Sequence, residues 1–241
     1  MRGLEHPTPD SVDRALDEVY AAGGIQDEQG QLRPIEPVGI TRVQGTGLRD
    51  LVASERCSAT LETGFGLGLS AAHIAAGLLH AGEANPRHVA IDPTTRRVFG
   101  NAGWALMQRL GLTHLVELVE EESQVALPRL MSEGLRVDLA FVDGDHRFDP
   151  AFVDIYFVSR MVRAGGLIVV DDMWMPAVRT AVAFFVRNID AELVPDAIPD
   201  SFAWKRRRPF STGPPPGRGS TAVLRMPAEH VERPWDHFVP F

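Results

Sequence analysis

The sequence predicts an α/β protein whose core is a doubly wound, mostly parallel sheet. Five short apolar runs alternate with stretches of helical periodicity, a pattern typical of parallel strands covered by helices on both faces. A glycine-rich loop, GFGLG, follows the first apolar run, at the position where such sheets bind ligands. Two further strands near the C-terminus bring the predicted sheet to seven.

The five alternating units are predicted in order along the chain. The strands are expected at 58–63, 87–92, 114–119, 137–143 and 167–172. The helices are expected at 69–81, 95–110, 123–133, 150–163 and 176–188. The last two predicted strands are nearly continuous in apolar residues, which favours central strands buried on both faces.

The two ends of the chain depart from this alternation. Residues 1–55 are predicted to form an N-terminal helical cap or lid, with helices from Asp10 to Ala22 and near 46–55. The remainder, 56–241, is predicted to be one domain.

The tail at 200–226 predicts a strand, a Pro/Gly-rich loop at 209–219 and a second strand, which together form an antiparallel hairpin at the sheet edge. The basic run Lys205–Arg208 in this tail is expected to be a solvated face, with contact to an anionic substrate as the alternative.

The composition excludes several classes of protein. The 241 residues suffice for one α/β domain with a sizeable core, and the net charge of −8 argues against a nucleic-acid partner. The single cysteine, Cys57, leaves no internal disulfide and no four-cysteine metal site. No apolar run reaches the ~18 residues of a membrane span, and the N-terminus has no apolar signal core. We therefore expect a cytoplasmic protein with no membrane partner.

Polar and mostly acidic residues follow each of the five predicted strands. These residues are Glu62, Asp92, Glu120–Gln124, Asp143–His146 and Asp171–Asp172. The carboxyl ends of parallel strands lie at one edge of a sheet, so the sequence predicts a binding site at that edge.

The spacing of the glycines in this loop bears on which nucleotide it binds. Its glycines, Gly64, Gly66 and Gly68, are spaced G-x-G-x-G, so the third is one place early for the dinucleotide fingerprint. This spacing argues against a nicotinamide-dependent oxidoreductase, and a tight strand-to-helix turn is the structural alternative. Asp92 ends the next strand, where an acid can accept both hydroxyls of a ribose or cap the helix beginning near Thr94.

The pattern E-x-G-x-G-x-G, followed by an acid at the end of the next strand, resembles that of class I S-adenosylmethionine-dependent methyltransferases, which have a Rossmann-like fold. The segments EESQVALPRL, AFVDGDHRFD and GGLIVVDDMWMP look like those of the catechol and caffeoyl-CoA type O-methyltransferases. They are closer still to the bacterial macrocin-type enzymes that methylate sugars. The resemblance covers roughly residues 40–226.

This resemblance implies S-adenosylmethionine and a divalent metal, Mg²⁺, as cofactors. The implied cofactor-binding residues are Glu62, Gly64, Gly66, Gly68, Ser70, Asp92, Ser123, Gln124 and Asp143. Ser123 and Gln124 match a pair that lies by the adenine, with a helix N-cap as the alternative for Ser123.

The metal ligands implied by the resemblance are Asp143, Asp171 and Asp172. Mg²⁺ prefers oxygen ligands, and neighbouring strand ends lie only about 4.8 Å apart. Adjacent residues of a regular strand point to opposite faces, so both Asp171 and Asp172 can bind one ion only if the strand ends before them. Otherwise one of them caps the following turn.

The residues assigned to catalysis are Asp143 and His146. His146 stands where the catechol-type enzymes have a lysine base, and a neutral imidazole is a suitable base near neutral pH. The alternative is a loop-packing role. Trp174 directly follows the metal acids, where an aromatic ring walls an apolar acceptor or anchors the sheet edge.

The sequence therefore predicts a Mg²⁺-assisted O-methyltransferase that acts on a hydroxyl of a small natural product or sugar. The open alternatives are a metal-independent methyltransferase, a nicotinamide-dependent oxidoreductase and a non-catalytic binding protein on the same fold. A small-molecule hydroxyl acceptor is the expected partner, and a homodimer is left open.

Overall fold

The computed structural model describes residues 7–199, 220–229 and 233–241. The strands within these ranges are β1 Gly24–Gln26, β2 Leu32–Pro34, β3 Ala59–Thr63, β4 Arg87–Ile91, β5 Val116–Val119, β6 Val137–Val142, β7 Val162–Val170, β8 Glu192–Leu193 and β9 Ala222–Arg225. The helices are α1 Pro9–Ala22, α2 Arg42–Ser54, α3 Leu69–Ala81, α4 Thr95–Phe99, α5 Ala102–Arg109, α6 Ser123–Ser132, α7 Phe148–Met161 and α8 Pro176–Asn188.

Seven of these strands form one mostly parallel sheet in the order β5-β4-β3-β6-β7-β9-β8. The five strands predicted from the alternation are all present, and two antiparallel strands complete one edge. The predicted fold class is confirmed. The chain divides into two compact units, residues 1–123 and 124–241, which are described in turn.

The first unit packs its N-terminal helices around α3. The first ten residues of α3 are all buried, which explains why its sequence is apolar on every side. Gly45 of α2 lies against α3, since a Cβ there would be 2.2 Å from the ring of His73. His73 is itself buried, and this burial lowers its pKa to about 4. The Tyr20 hydroxyl lies 3.3 Å from His73 Nε2 and donates to the Ile40 carbonyl.

The first unit differs from the sequence prediction at three places. An antiparallel hairpin, β1–β2, occupies a stretch too short and polar to carry a strand pattern. Helix α2 begins before 46 because Thr41 and Gln44 form a capping box at its N-terminus. The helix predicted over 95–110 is two helices, because Gly100 and Asn101 both have positive φ angles, of 58° and 61°.

The second unit carries β6 and β7 as a parallel pair, with β9 antiparallel to β7. Strand β9 confirms the second strand of the predicted hairpin. Its antiparallel partner on the far side is β8, which lies upstream of the tail in which the first hairpin strand was predicted. The first hairpin strand at 200–208, the loop at 209–219 and Lys205–Arg208 lie outside the described residues.

Among the described residues, none of the helices combines the length and the apolar character that crossing a membrane requires.

Candidate functional site

The glycine loop joins β3 to α3 through three left-handed backbone positions. Gly64, Gly66 and Gly68 have φ angles of 92°, 47° and 74°. A side chain is further excluded at Gly68, because a Cβ there would lie 2.9 Å from the Cα of Gly103 and 3.0 Å from its carbonyl oxygen. The loop is therefore a tight strand-to-helix turn that requires glycine, which is the structural alternative named above. It also brings the backbone of the loop up to the end of β3.

Asp92, at the end of β4, uses its carboxylate to hold this loop. Its Oδ2 accepts a hydrogen bond of 2.7 Å from the backbone N–H of Gly66. Its Oδ1 accepts from the backbone N–H and the hydroxyl of Thr94, at 2.6 and 2.7 Å. Asp92 thus organises both the glycine loop and the turn into α4.

Glu62 lies beneath the loop with a carboxylate that is wholly buried. Neither of its carboxylate oxygens has a hydrogen-bond partner among the described residues, although His88 Nε2 faces Oε1 at 3.4 Å. A buried, unpaired carboxylate is costly, so an ionic partner is expected at this place. Ser70 is also buried, in the first turn of α3.

The other pair assigned to the cofactor, Ser123 and Gln124, begins helix α6. Ser123 is half-buried and Gln124 is exposed. Their assignment to the adenine stays a prediction.

In the second unit, the structure brings together Asp143, His146 and Asp172. Each offers one ligand atom, and these atoms all lie within 4.8 Å of one another. His146 Nε2 is 3.0 Å from Asp172 Oδ2. Trp174 Nε1 donates a hydrogen bond of 2.6 Å to the other oxygen of Asp172. The Asp172 carboxylate is thereby held between an imidazole and an indole.

Asp171 does not belong to this group. Its Oδ1 accepts from the backbone N–H of Asp172 at 2.8 Å, from the Ser220 hydroxyl at 2.6 Å and from the Thr221 hydroxyl at 3.3 Å. Burial raises the pKa of Asp171, and the neighbouring Asp172 carboxylate adds to this. The two acids diverge because β7 ends at Val170 and Asp172 has a left-handed backbone with φ 55°.

Arg179 supports this turn, and sequence reasoning missed it entirely. Arg179, from α8, donates to the carbonyls of Met173 and Trp174 at 3.0 and 2.6 Å. No local motif marks Arg179, because its partners lie five and six residues away across a turn. Asp145 pairs with Arg147, and hydrogen bonds from this guanidinium lower the pKa of the Asp145 carboxyl.

Comparison with known families relates the central part of the chain to a known domain. Residues 61–173, from the glycine loop to the turn after β7, match the family model described as a methyltransferase domain. The match covers fewer than half of the 241 residues, so it shows that this segment is similar to methyltransferase domains, in agreement with the resemblance seen in its motifs.

Solved structures with the same fold cover nearly all of the chain. An O-methyltransferase from Bacillus cereus, in complex with S-adenosylhomocysteine, has a TM-score of 0.61 and 15% identity, with 91% of each chain covered. The O-methyltransferase TomG from Streptomyces achromogenes, which is involved in tomaymycin synthesis and was solved with S-adenosylmethionine, has a TM-score of 0.59 and 18% identity. That comparison covers 93% of this chain and 92% of TomG.

Among curated proteins, an uncharacterised protein of Acanthamoeba polyphaga mimivirus is 39% identical over 59 residues. The match spans 23% of this chain and only 27% of the viral protein.

Proposed function

We propose that the protein transfers the methyl group of S-adenosylmethionine to a hydroxyl of a small natural product or sugar. The observation that carries this proposal is the contact of His146 Nε2 with Asp172 Oδ2 at 3.0 Å, next to Asp143. A hydroxyl must lose its proton as it accepts a methyl group. An imidazole fixed by a carboxylate is a suitable acceptor for that proton.

The first unit has features that fit S-adenosylmethionine. This cofactor carries two positive charges, an ammonium and a sulfonium, both in its methionine half. The buried carboxylate of Glu62 lacks hydrogen-bond partners among the described residues and can take a cationic one. The three glycines expose backbone in place of side chains, and Asp92 retains one carboxylate lone pair for a ribose hydroxyl beyond its three hydrogen bonds.

When bound, the cofactor supplies a methyl group that passes from sulfur to oxygen as the sulfur–carbon bond breaks. The residues of this chain then have three tasks. Glu62 and Asp92 bind the donor, His146 takes the proton of the acceptor, and Asp172 keeps the imidazole in one orientation. With Nε2–H donated to Asp172, Nδ1 of His146 is the atom that accepts the proton.

A divalent cation is the second part of the proposal. Asp143, His146 and Asp172 fit such an ion, because two carboxylates suit Mg²⁺ or Mn²⁺ and the imidazole suits Zn²⁺. A cation held there would lower the pKa of the acceptor hydroxyl. Asp171, predicted as a third ligand, lies outside this group, and its Oδ1 accepts from Ser220 and Thr221 instead.

A metal-independent reaction is the second candidate, and the same His146–Asp172 contact favours it. If His146 binds a cation through Nε2, Asp172 can no longer accept from that nitrogen, and His146 ceases to be the base. The two candidates therefore assign different roles to one side chain.

The test is turnover of S-adenosylmethionine against a panel of phenols and sugars, measured as S-adenosylhomocysteine formed, with and without chelator. Cation dependence predicts that chelator or Asp143→Asn abolishes turnover, and that chelator leaves cofactor binding unchanged. The metal-independent reaction predicts full turnover in chelator and a loss of about 10²-fold or more in His146→Gln. Asp145→Asn is the matched control, because this acid pairs with Arg147 outside the group.

Two outcomes would overturn methyl transfer itself. Binding of a nicotinamide nucleotide in place of S-adenosylhomocysteine would indicate an oxidoreductase. Binding of the cofactor with no turnover over the whole panel would indicate a binding protein on the same fold.

A further inference from the structure

His88 is a buried, ionisable residue of the second strand of the sheet, and the proposed reaction gives it no role. It lies on β4 and has no exposed surface. Its strand is otherwise apolar where it is buried, at Val89, Ala90 and Ile91. An imidazole placed among such residues needs partners, since burying a polar group without hydrogen bonds is unfavourable.

Its two ring nitrogens face two residues of the neighbouring strand. Nδ1 lies 3.0 Å from the Thr60 hydroxyl oxygen, and Nε2 lies 3.4 Å from Glu62 Oε1. The parallel register explains this arrangement: Thr60 pairs with His88, and Glu62, two residues on, lies on the same face of β3. Thr60, His88 and Glu62 form a buried chain that ends beneath the glycine loop.

The donor and acceptor properties of Thr60, His88 and Glu62 determine which group donates to which. Glu62, when ionised, only accepts, so Nε2 must carry the hydrogen that faces it. Nδ1 is then the acceptor, and the Thr60 hydroxyl donates to it. The opposite tautomer would set the lone pair of Nε2 against a carboxylate oxygen. The Glu62 carboxylate therefore selects the tautomer of His88, and the Thr60 hydroxyl supplies the partner that Nδ1 needs to hold the ring in place.

We propose that His88 is a positioning residue for cofactor binding, which holds the Glu62 carboxylate so that its second oxygen is presented to the cationic half of S-adenosylmethionine. This inference rests on the proposed cofactor site. The contact to Oε1 is long for a hydrogen bond, and Oε2 has no partner among the described residues. His88 thus orients the carboxylate without occupying its remaining acceptor sites.

A purely structural role explains these residues less well. Buried polar side chains such as these contribute little to stability compared with well-packed apolar side chains of similar volume. Val116, which pairs with His88 across the sheet, and Ala90, two residues on along β4, show that buried apolar residues fit on this face. A Thr–His–Glu chain that leaves one carboxylate oxygen open is instead what a binding site for a cation requires.

The experiment compares two variants that each keep one nitrogen of the ring. In His88→Gln the amide nitrogen stands near Nε2 and can still donate to Glu62. In His88→Asn the amide stands near Nδ1 and reaches Thr60 but not Glu62. Thermal unfolding measures stability, and calorimetry measures the Kd of two probes. These are S-adenosylhomocysteine, which keeps the ammonium group, and 5′-methylthioadenosine, which lacks the amino-acid part.

We expect His88→Asn to weaken S-adenosylhomocysteine binding by about tenfold or more, since the contact that orients the Glu62 carboxylate is lost. His88→Gln should stay within about threefold of the wild type. Neither should change the Kd of 5′-methylthioadenosine. Thr60→Val, nearly isosteric, should weaken S-adenosylhomocysteine binding several-fold and serves if His88→Asn does not fold.

The inference is overturned if His88→Asn and His88→Gln bind S-adenosylhomocysteine equally, or if both probes weaken together with stability. A wild-type protein that binds neither probe would overturn the proposed function and this inference with it. A wild type that binds S-adenosylhomocysteine, with variants that bind it as tightly, would overturn this inference alone.

Discussion

Substitution of Asp171 best distinguishes a structural role of this residue from a role as a metal ligand. Replacing it by alanine removes an acceptor that takes three hydrogen bonds at 2.6, 2.8 and 3.3 Å. The two short bonds contribute about 1–1.5 kcal/mol each, and the third adds less, so Asp171→Ala should lower the free energy of unfolding by about 2–4 kcal/mol. For a chain of this length the melting temperature should fall by roughly 5–15 °C.

Asp171→Asn is the matched variant, because its amide oxygen can accept from the same three donors. It should stay within about 1 kcal/mol of the wild type. Burial raises the pKa of Asp171, so the folded state binds a proton that the unfolded state has released. The wild type should therefore lose stability relative to Asp171→Asn as the pH rises from the ordinary value for aspartate toward that raised pKa.

The assay is urea and thermal unfolding of both variants over this pH range, together with titration of a divalent cation into each. An Asp171→Ala protein with an unchanged melting temperature but a lost cation response would refute the reasoning. That result would make Asp171 a ligand, as the sequence predicts.

Three further predictions concern the first unit. Gly68→Ala should lower the free energy of unfolding by about 1–3 kcal/mol more than Gly66→Ala in chemical denaturation. Both glycines have positive φ, but only at Gly68 does a Cβ meet backbone, and equal losses would remove that contact from the explanation. Asp92→Asn should weaken S-adenosylhomocysteine binding and also lower the melting temperature, because an amide nitrogen cannot accept from the Gly66 N–H. Unchanged binding of S-adenosylhomocysteine by calorimetry would contradict the assignment of Asp92 to the ribose. The pKa of His73 is lowered from 6.5 to about 4, so as the pH falls the unfolded state takes up this proton before the folded state does. Between pH 7 and pH 5, the free energy of unfolding of the wild type should therefore fall by about 2 kcal/mol more than that of His73→Gln. Urea unfolding curves that shift equally with pH in the two proteins would rule this out.

Much of the fold could be read from local pattern, because parallel strands and their covering helices are set by the period of apolar residues. The helix predicted at 69–81 is α3 with the same bounds, since Gly68 and Gly82 stand at its ends. The break at Gly100 and Asn101 was not predictable in the same way. Gly100 packs against Asp27, because a Cβ at position 100 would lie 2.7 Å from Asp27 Oδ2. The periodicity of apolar residues does not predict a contact between segments so far apart in the chain.

The candidate site was likewise predictable from sequence only in its local features. The residue types that follow the strands, and their place at the carboxyl ends, were determined by the sequence, because strand ends and glycine spacing are local features. Which carboxylates share a site was decided by tertiary structure. Asp171 and Asp172 are adjacent in the chain, yet a left-handed backbone at Asp172 directs one acid to His146 and leaves the other with Ser220.

The pairing of Glu62 with His88 shows the physical reason most plainly. The two residues are far apart in sequence and become neighbours only through the register of two parallel strands. Hydrogen bonding between strands fixes that register, and a shift of one residue would turn His88 to the other face of the sheet. The sequence by itself determined that an acid precedes the glycine loop, and the folded sheet alone decided which side chain holds it.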